Sequence, residues 1–209
     1  MSKIIGLGLD PGLAKTGYAL AQINATTGTI HDVLEVGVIE TARCKHLTVR
    51  KTSDDLRRAK EQSNQLREIL ESVKVDFVAA EMATTTPYTL PTFSFGVMIG
   101  ILASLDHAII QVLPREVKLA VAGDDRATKR DIIEWALSVP SSSTLEWPTS
   151  RRLNKLRLTY EGEYIAASAE HPADALAAIK AATETEQFRL ARGMFMKKKP
   201  VRRPRRPAS

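Results

Sequence analysis

The amino-acid sequence predicts an α/β fold with a five-stranded mixed β-sheet, whose first three strands are antiparallel and whose faces are flanked by helices. Apolar runs of strand length, separated by short turns, open the chain. Two further runs of this kind each follow a helical pattern, as parallel strands require. Helical patterns then dominate. The predicted order is therefore three strands, helix, strand, helix, strand and helices.

Five apolar runs form this predicted sheet. IIGLGLD is almost wholly apolar, which indicates a buried strand, and the alternating TGYALAQI pairs with it across a Pro-Gly turn. A third strand follows Thr-Thr-Gly. The predicted strands are residues 4–10, 16–23, 33–40, 75–81 and 108–114.

The first predicted helix covers residues 53–73, with Ser53 as a possible cap and apolar residues at helical spacing. Those residues are Leu56, Ala59, Leu66, Ile69 and Leu70. Residues 84–92 form a predicted loop. The mostly apolar helix predicted over 93–108 packs against the sheet or against a partner subunit.

The second half of the chain is predicted to be mainly helical. A short helix follows Pro114, turns at Gly123, and leads to another helix beginning near Ala127. A small hairpin is predicted around residues 161–162. The last element, residues 171–191, is predicted as one Ala-rich helix with proline in its first turn.

Composition limits the classes of function. The 209 residues are 44% hydrophobic and 26% charged, which suits one globular domain. The longest nearly apolar run, residues 95–105, is too short to cross a bilayer, and no signal peptide is evident, so we expect a cytoplasmic protein without a membrane partner. Cys44 is the only cysteine, which excludes an internal disulfide and a zinc site built from several cysteines.

Positive charge is concentrated near the end of the sequence. Residues 189–209 contain nine Lys or Arg and no acid, so the remainder carries a net charge of −3 against +6 for the whole chain. We predict a domain over residues 1–190, with an inserted basic and aromatic segment at about 138–169, and a disordered basic arm over 191–209. Such an arm fits phosphate binding, or it serves only as a solubilising tail.

Acidic residues are predicted to converge at one end of the sheet. Asp10 and Glu81 end two strands that should lie parallel and adjacent, and Asp174 lies three residues after His171 at the start of the last helix. Each could instead be an ordinary turn, strand-end or helix-start residue. Together they predict a divalent-metal site, because clustered carboxylates repel unless a cation neutralises them.

Four segments resemble the RuvC-type Holliday-junction resolvases. GLDPGLAKTGYAL resembles their first-strand motif, VAAEM their second acidic strand, PREVKLAVAGDDRATK their basic helix-turn-helix segment and HPADALAAI their closing motif. The first motif is also found in sugar-kinase and actin-like ATPases, but these need two lobes and more residues than this chain has.

This resemblance implies a ribonuclease-H-like fold and a homodimer that cuts four-way DNA junctions with divalent metal. The implied catalytic residues and metal ligands are Asp10, Glu81, His171 and Asp174. The implied cofactor is Mg²⁺, with Mn²⁺ as a substitute and two ions per active site. His171 could serve as a ligand or as a proton acceptor. No small-molecule cofactor is expected, and the cell would be bacterial or an infected host.

Several residues are candidates for DNA binding. Lys118 and Lys129 match basic positions that lie near the scissile phosphate in the family, with Arg115 one helical turn before Lys118; solvated helix faces are the alternative. Tyr88 or Phe93 could stack on opened bases, although Phe93 could equally be a core residue. In the inserted segment the candidates are Arg151, Arg152 and Lys155, with Arg157, beside Trp147 and Tyr160.

Two other functions stay open from the sequence. One is a broader nuclease for branched DNA, flaps or RNA on the same fold, because metal ligands do not define a substrate. The other is a non-catalytic junction-binding protein, although binding alone gains nothing from three acids facing phosphate.

Overall fold

The computed structural model describes residues 3–82, 89–141 and 145–197, and its centre is a five-stranded sheet. The strands are β1 Lys3–Asp10, β2 Lys15–Asn24, β3 Ile30–Glu40, β4 Phe77–Glu81 and β5 Ile109–Val112. Their order is β3-β2-β1-β4-β5, with β1 to β3 antiparallel and β4 parallel to both its neighbours. The predicted mixed sheet is confirmed.

Helices cover both faces of the sheet, giving two apolar cores. They are α1 Lys51–Ser72, α2 Thr89–Ala103, α3 Pro114–Ala122, α4 Lys129–Ser138, α5 Glu170–Glu184 and α6 Glu186–Lys197. Leu7 and Leu9 of β1 belong to the core that includes Leu66 of α1, Met98 and Ile101 of α2. Ala19 and Ala21 of β2 and Ala79 of β4 belong to the other core, with α5. No helix within the described ranges is long and apolar enough to cross a bilayer.

Helix α5 lies unusually close to the sheet because two glycines face it. A Cβ atom on Gly8 would stand 1.9 Å from the carbonyl oxygen of Ala175, and one on Gly17 would stand 2.2 Å from that of His171. Any side chain at these positions would push the helix away from β1 and β2. The start of α5 is therefore held directly against the end of β1.

Helix α1 differs from its predicted form. It begins at Lys51, so Ser53 is not its cap, and Leu56 is exposed. Its buried side chains are largely polar: Asp54, Asp55, Arg58, Gln62 and Leu66. These polar groups are tolerated because they find partners below the helix, such as the Thr41 hydroxyl, which accepts from Arg58 Nε at 3.1 Å.

The predicted last helix is two helices. The chain leaves helical geometry at Thr185, whose hydroxyl accepts a hydrogen bond from the Phe188 amide at 3.2 Å and so begins α6. Because α6 continues to Lys197, the predicted boundary between domain and arm at residue 190 falls inside a helix. The rest of the predicted arm, residues 198–209, lies outside the described residues.

Three other helix boundaries also differ. Helix α2 begins at Thr89, inside the stretch predicted as a loop, and ends at Ala103. Helix α4 begins after Thr128, whose hydroxyl accepts from the Asp131 amide, rather than near Ala127.

The inserted segment folds as a second small sheet. Its strands are β6 Thr149–Ser150, β7 Thr159–Tyr160 and β8 Glu163–Ile165, in the order β6-β8-β7. The hairpin predicted around residues 161–162 is present, and both turn residues have positive φ, as tight hairpin turns require. Trp147, Leu158 and Ile165 are buried in the core on the α5 side, so this sheet is anchored to the domain.

Candidate active site

Two carboxylates lie at the same end of the central sheet because β1 and β4 are parallel neighbours. Leu9 pairs with Ala80, and the next residues, Asp10 and Glu81, end their strands. Both residues are partly buried. The apolar strands thus carry two acids to one edge, where the chain leaves the core.

Helix α5 adds its first turns to this edge. His171 Nδ1 lies 2.8 Å from Asp10 Oδ2, a contact across 161 residues of sequence. Asp174, one turn later, interacts electrostatically with both Asp10 and Glu81. The close contact of α5 with β1 and β2 is what brings these three elements together.

The carboxylates at this edge are poorly neutralised. Burial, followed by the charges of Asp174 and Asp10, raises the pKa of Glu81 to about 8. Burial and the charge of Asp10 raise the pKa of Asp174 to about 7. The hydrogen bond with Asp10 raises the pKa of His171 above its usual value. The site therefore takes up protons at neutral pH unless another cation is supplied.

The donor set suits a hard divalent cation. Three carboxylates and one imidazole match the oxygen-rich coordination of Mg²⁺ and Mn²⁺, and the raised acid pKa values show that positive charge would stabilise the cluster. Across the described residues, no three such groups already stand close enough to enclose one ion, and His171 is engaged with Asp10. Cation binding here requires side-chain adjustment, but the chemistry fits.

A cleft with a volume of about 360 Å³ joins the acids to basic residues. Its lining contains the two acids Glu81 and Asp174 together with Lys118, Arg126 and Lys129. Helix α3 supplies Lys118, and Lys129 is the first residue of α4. Acids that suit a metal and lysines that suit a phosphate thus share one cavity.

Glu170 is a site residue that the sequence analysis missed. Its Oε2 lies 2.8 Å from Lys129 Nζ, and its Oε1 lies 3.9 Å from His171 Nε2. This contact joins the start of α5 to the start of α4 and raises the pKa of Lys129. The only signal in the sequence was an acid directly before His171.

The remaining cleft candidates have different positions. Arg115 is exposed and pairs with Asp125 at 3.0 Å, and it is not among the described residues that line the cleft. Phe93 is 52% exposed near the start of α2, so it is not a core residue. Tyr88 lies outside the described residues.

The inserted segment separates its basic and aromatic residues. Arg151, Arg152 and Lys155 are exposed, whereas Trp147 is buried and Tyr160 is partly buried against the core. Trp147 is therefore a packing residue, and the expectation that it could grip DNA beside the cations is wrong. The cations themselves remain available to an external partner.

Comparisons with known proteins agree with this geometry. The profile of the family described as crossover junction endodeoxyribonuclease RuvC matches residues 6–138. The RuvC of one strain of Prochlorococcus marinus is 31% identical over 133 residues, covering 61% of this chain and 78% of that protein. For the RuvC of a Synechococcus species the identity is 26% over 129 residues, covering 60% and 77%.

Solved structures show the same fold over more of the chain. Thermus thermophilus RuvC in complex with a Holliday junction substrate superposes with a TM-score of 0.62 at 17% identity, covering 91% of this chain and 96% of that one. The yeast mitochondrial Holliday junction resolvase Ydc2 gives a TM-score of 0.57 at 12% identity, covering 91% and 82%.

The mixed sheet and its acidic edge define a ribonuclease-H-like protein. Within that class, the profile match over well more than half of the residues assigns the family. The chain belongs to the RuvC family of crossover junction endodeoxyribonucleases.

Proposed function

We propose that this protein is a divalent-metal-dependent endonuclease that resolves four-way DNA junctions by paired, symmetric nicks. The observation that carries the proposal is the cleft that Glu81 and Asp174 share with Lys118 and Lys129. The acids suit metal ions, and the lysines suit the phosphate that is cut. Family membership supports the reaction, and the names of its relatives support the substrate.

The proposed metal ligands are Asp10, Glu81, His171 and Asp174, which would hold Mg²⁺, or Mn²⁺ in its place, as two ions. The chemistry supplied by bound ions is activation of water and neutralisation of charge on the phosphate and on the leaving 3′ oxygen. The two lysines orient the scissile phosphate and stabilise its additional charge during attack. Hydrolysis breaks the P–O3′ bond and leaves a 5′ phosphate.

His171 has a further role available to it. With the Nδ1 proton donated to Asp10 Oδ2, its Nε2 keeps a lone pair on the side of Glu170. That nitrogen can bind a metal ion or accept a proton from the attacking water. Metal-binding measurements on His171→Gln test the ligand role, because a metal affinity equal to that of the parent protein would exclude His171 as a ligand.

We also propose that the protein acts as a homodimer through α2. Ile99 is an exposed apolar residue of this helix, whereas Met98 is buried on its other side. Two coordinated nicks need two active sites. Ile99→Glu should convert the dimer to a monomer in sedimentation experiments, with exposed Leu190→Glu as the control; a monomeric parent protein would contradict the dimer.

DNA contacts outside the cleft are proposed for Arg151, Arg152 and Lys155 and for the basic residues 198–209. The domain of residues 1–190 would then cut, while the inserted segment and the arm add phosphate contacts. Arg115 and the aromatic candidates Tyr88 and Phe93 are proposed to contact the junction itself. The proposed location is the cytoplasm of a bacterial or infected host cell, because the DNA substrate is found there.

The test uses an end-labelled synthetic four-way junction incubated with Mg²⁺, Mn²⁺ or EDTA, beside Asp10→Asn and the exposed control Asp106→Asn. We expect symmetric, metal-dependent nicks with the parent and the control, and none with Asp10→Asn. A fork, duplex DNA and RNA are run in parallel, since equal cutting of these would indicate a broader nuclease. Junction binding without cleavage under every metal would indicate a non-catalytic binding protein.

A further inference from the structure

The connection from β3 to α1 is basic and exposed. Its residues 42–50 and the first residue of α1, Lys51, are called here the basic loop and include four cations and no acid. Those cations are Arg43, Lys45, Arg50 and Lys51, all exposed. Within the part of the chain that the structure describes, none of the four forms an ion pair. Unpaired cations on one segment indicate an anionic partner.

The base of the basic loop is held by Asp54 and Arg57 of α1. Arg57 Nη2 donates to the Ala42 carbonyl at 2.6 Å and to Asp54 Oδ1 at 2.6 Å, and the other Asp54 oxygen accepts from the Cys44 amide at 3.1 Å. The Thr41 amide donates to the Ala14 carbonyl at 2.9 Å. These bonds fix the loop before any partner arrives, which lowers the entropy lost on binding.

The basic loop leaves the sheet at the catalytic end. Asp10 pairs with Gly17, Gly17 pairs with Val38, and β3 ends two residues later. Two strand spacings separate Asp10 from β3, which is about 10 Å, or roughly three base-pair steps of duplex DNA. The Thr41–Ala14 bond also joins the loop to the segment that follows Asp10.

The tip of the basic loop presents an apolar side chain among the cations. Leu47 is fully exposed and Val49 is 41% exposed, beyond a turn in which the Val49 amide donates to the His46 carbonyl at 3.1 Å. Cations bind phosphates, and an aliphatic side chain between them can contact a sugar or enter between partly unstacked bases. This combination fits nucleic acid better than an acidic protein surface.

We propose that the basic loop binds the phosphate backbone of the DNA arm beside the cut strand, with Leu47 in contact with sugar or base. This inference rests on the proposed function and adds a second DNA-binding element to its active site. The loop and the lysine cleft lie on opposite sides of Asp10 along the sheet edge, since β3 is on one side of β1 and β4 on the other. The DNA would therefore be held on both sides of the reacting phosphate.

The test compares two triple variants with equal loss of charge. Arg43→Gln, Lys45→Gln and Arg50→Gln alter the loop, and Lys3→Gln, Arg67→Gln and Lys74→Gln alter exposed cations at the other end of the sheet. Junction binding is measured by fluorescence anisotropy over a range of salt concentrations, with thermal melting to verify folding. We expect the loop variant to bind about 10-fold more weakly and its salt slope to fall by about 2 to 3, at roughly 0.9 for each of up to three lost phosphate contacts.

Two outcomes overturn the inference, and they are distinguishable from each other. If the parent protein cuts the junction and the loop variant binds like the control variant, the basic loop is not a DNA contact, whatever protein partner it has. If the parent neither binds nor cuts the junction, the proposed function fails and the inference fails with it. A variant confined to the tip, Leu47→Ser, should weaken binding about threefold with an unchanged salt slope.

A mapping experiment locates the contact. Leu47→Cys in a Cys44→Ser background carries a tethered iron–EDTA group, and the strand breaks it produces are mapped on a junction bound under non-cutting conditions. Breaks within about three to six base pairs of the nick site on one arm are expected from the spacing of about 10 Å. Breaks spread evenly over all arms would contradict a fixed loop contact.

Discussion

The two ends of the central sheet treat charge in opposite ways. Where β1 and β4 end, Glu81 and Asp174 lie partly buried and close together, and burial, followed by the charges of neighbouring acids, raises their pKa values. At the other end, three cations of α5 and α6 are satisfied locally. Lys180 pairs with Glu184 and Arg189 with Glu186 in their own helices, and Arg192 donates to the Thr26 carbonyl.

The difference shows where this molecule performs chemistry. Exposed pairs within a helix contribute little to stability and bind nothing further, because each charge already has a partner. Partly buried acids without sufficient counter-charge are unfavourable in isolation, so their presence indicates a site that suits a bound cation. The following predictions test this contrast between the catalytic end and the paired end, beginning with the largest effect.

Removal of one acid from the catalytic end should abolish cleavage. Asp10→Asn or Asp174→Asn should reduce the cleavage rate at least about 1000-fold, because metal binding is lost. Junction binding should be preserved or strengthened, since one charge that repels phosphate is gone. Gel-based cleavage and binding assays measure both effects. Asp106→Asn is the control, and parent-like turnover in either site variant would refute the assignment.

Stability without metal should fall as the pH rises. The folded state holds protons on Glu81 up to about pH 8 and on Asp174 up to about pH 7, whereas the unfolded chain releases them near the ordinary values of 4.5 and 3.8. The raised pKa of His171 acts in the same direction, because its protonated form loses its charge as the pH rises. Above these pKa values the folded state no longer gains stability from binding these protons.

Thermal unfolding in EDTA should show this as a free energy of unfolding about 1–4 kcal/mol lower near pH 8.5 than near pH 6. Glu81→Gln should flatten the dependence, and added Mg²⁺ should reduce it, because the ion replaces the protons. A slope as steep in Glu81→Gln as in the parent would show that this acid does not titrate as described.

Replacing Lys118 or Lys129 in the cleft should affect the cleavage rate more than the affinity for the junction. Lys118→Ala or Lys129→Ala should lower the cleavage rate about 100-fold, the scale seen when one charge-stabilising donor is lost. Glu170→Gln should lower it only severalfold, because Lys129 loses its partner but keeps its charge. Single-turnover cleavage and anisotropy separate rate from affinity. Lys3→Ala, at the opposite end of the sheet, should change neither.

The inserted segment should give the smallest effect. Replacing Arg151, Arg152 and Lys155 with Gln should weaken junction binding about threefold to 10-fold and lower the salt slope, with little change in the rate at saturating protein. The matched control is Lys3, Arg67 and Lys74 to Gln. An unchanged salt slope would exclude these cations as phosphate contacts.

The sheet and its acidic end could be predicted because their signals are local. Apolar runs and turns identify the strands. Asp10 and Glu81 directly end two of these runs, so their place at the strand ends follows from the sequence. The buried polar face of α1 could not be predicted from the sequence. Its residues Asp55, Arg58 and Gln62 are of the types that normally form the solvent-exposed face of a helix. Only the fold shows that Gln62 Nε2 donates to the carbonyls of Gly12 and Ile39 at 3.3 Å, below the segment after Asp10.

Two features that the sequence did not predict depend on individual side-chain contacts in the folded structure. The helix break at Thr185 depends on the hydrogen bond that its hydroxyl accepts from the Phe188 amide. The Ala-rich helical pattern gives no sign of this bond. The pairing of Glu170 with Lys129 joins residues 41 positions apart and follows from the packing of α5 near α4. Helical periodicity gives no information about either contact.

Gly8 and Gly17 make this enzyme vulnerable at positions without any reactive group. A single added methyl at Gly8 would overlap the Ala175 carbonyl, and one at Gly17 would overlap the backbone of His171. In a screen of random variants, alanine at either glycine should therefore score with the loss of a catalytic acid rather than with ordinary core substitutions. Substitutions that this active site can tolerate are therefore limited by the space available at two glycines as much as by the need for its carboxylates.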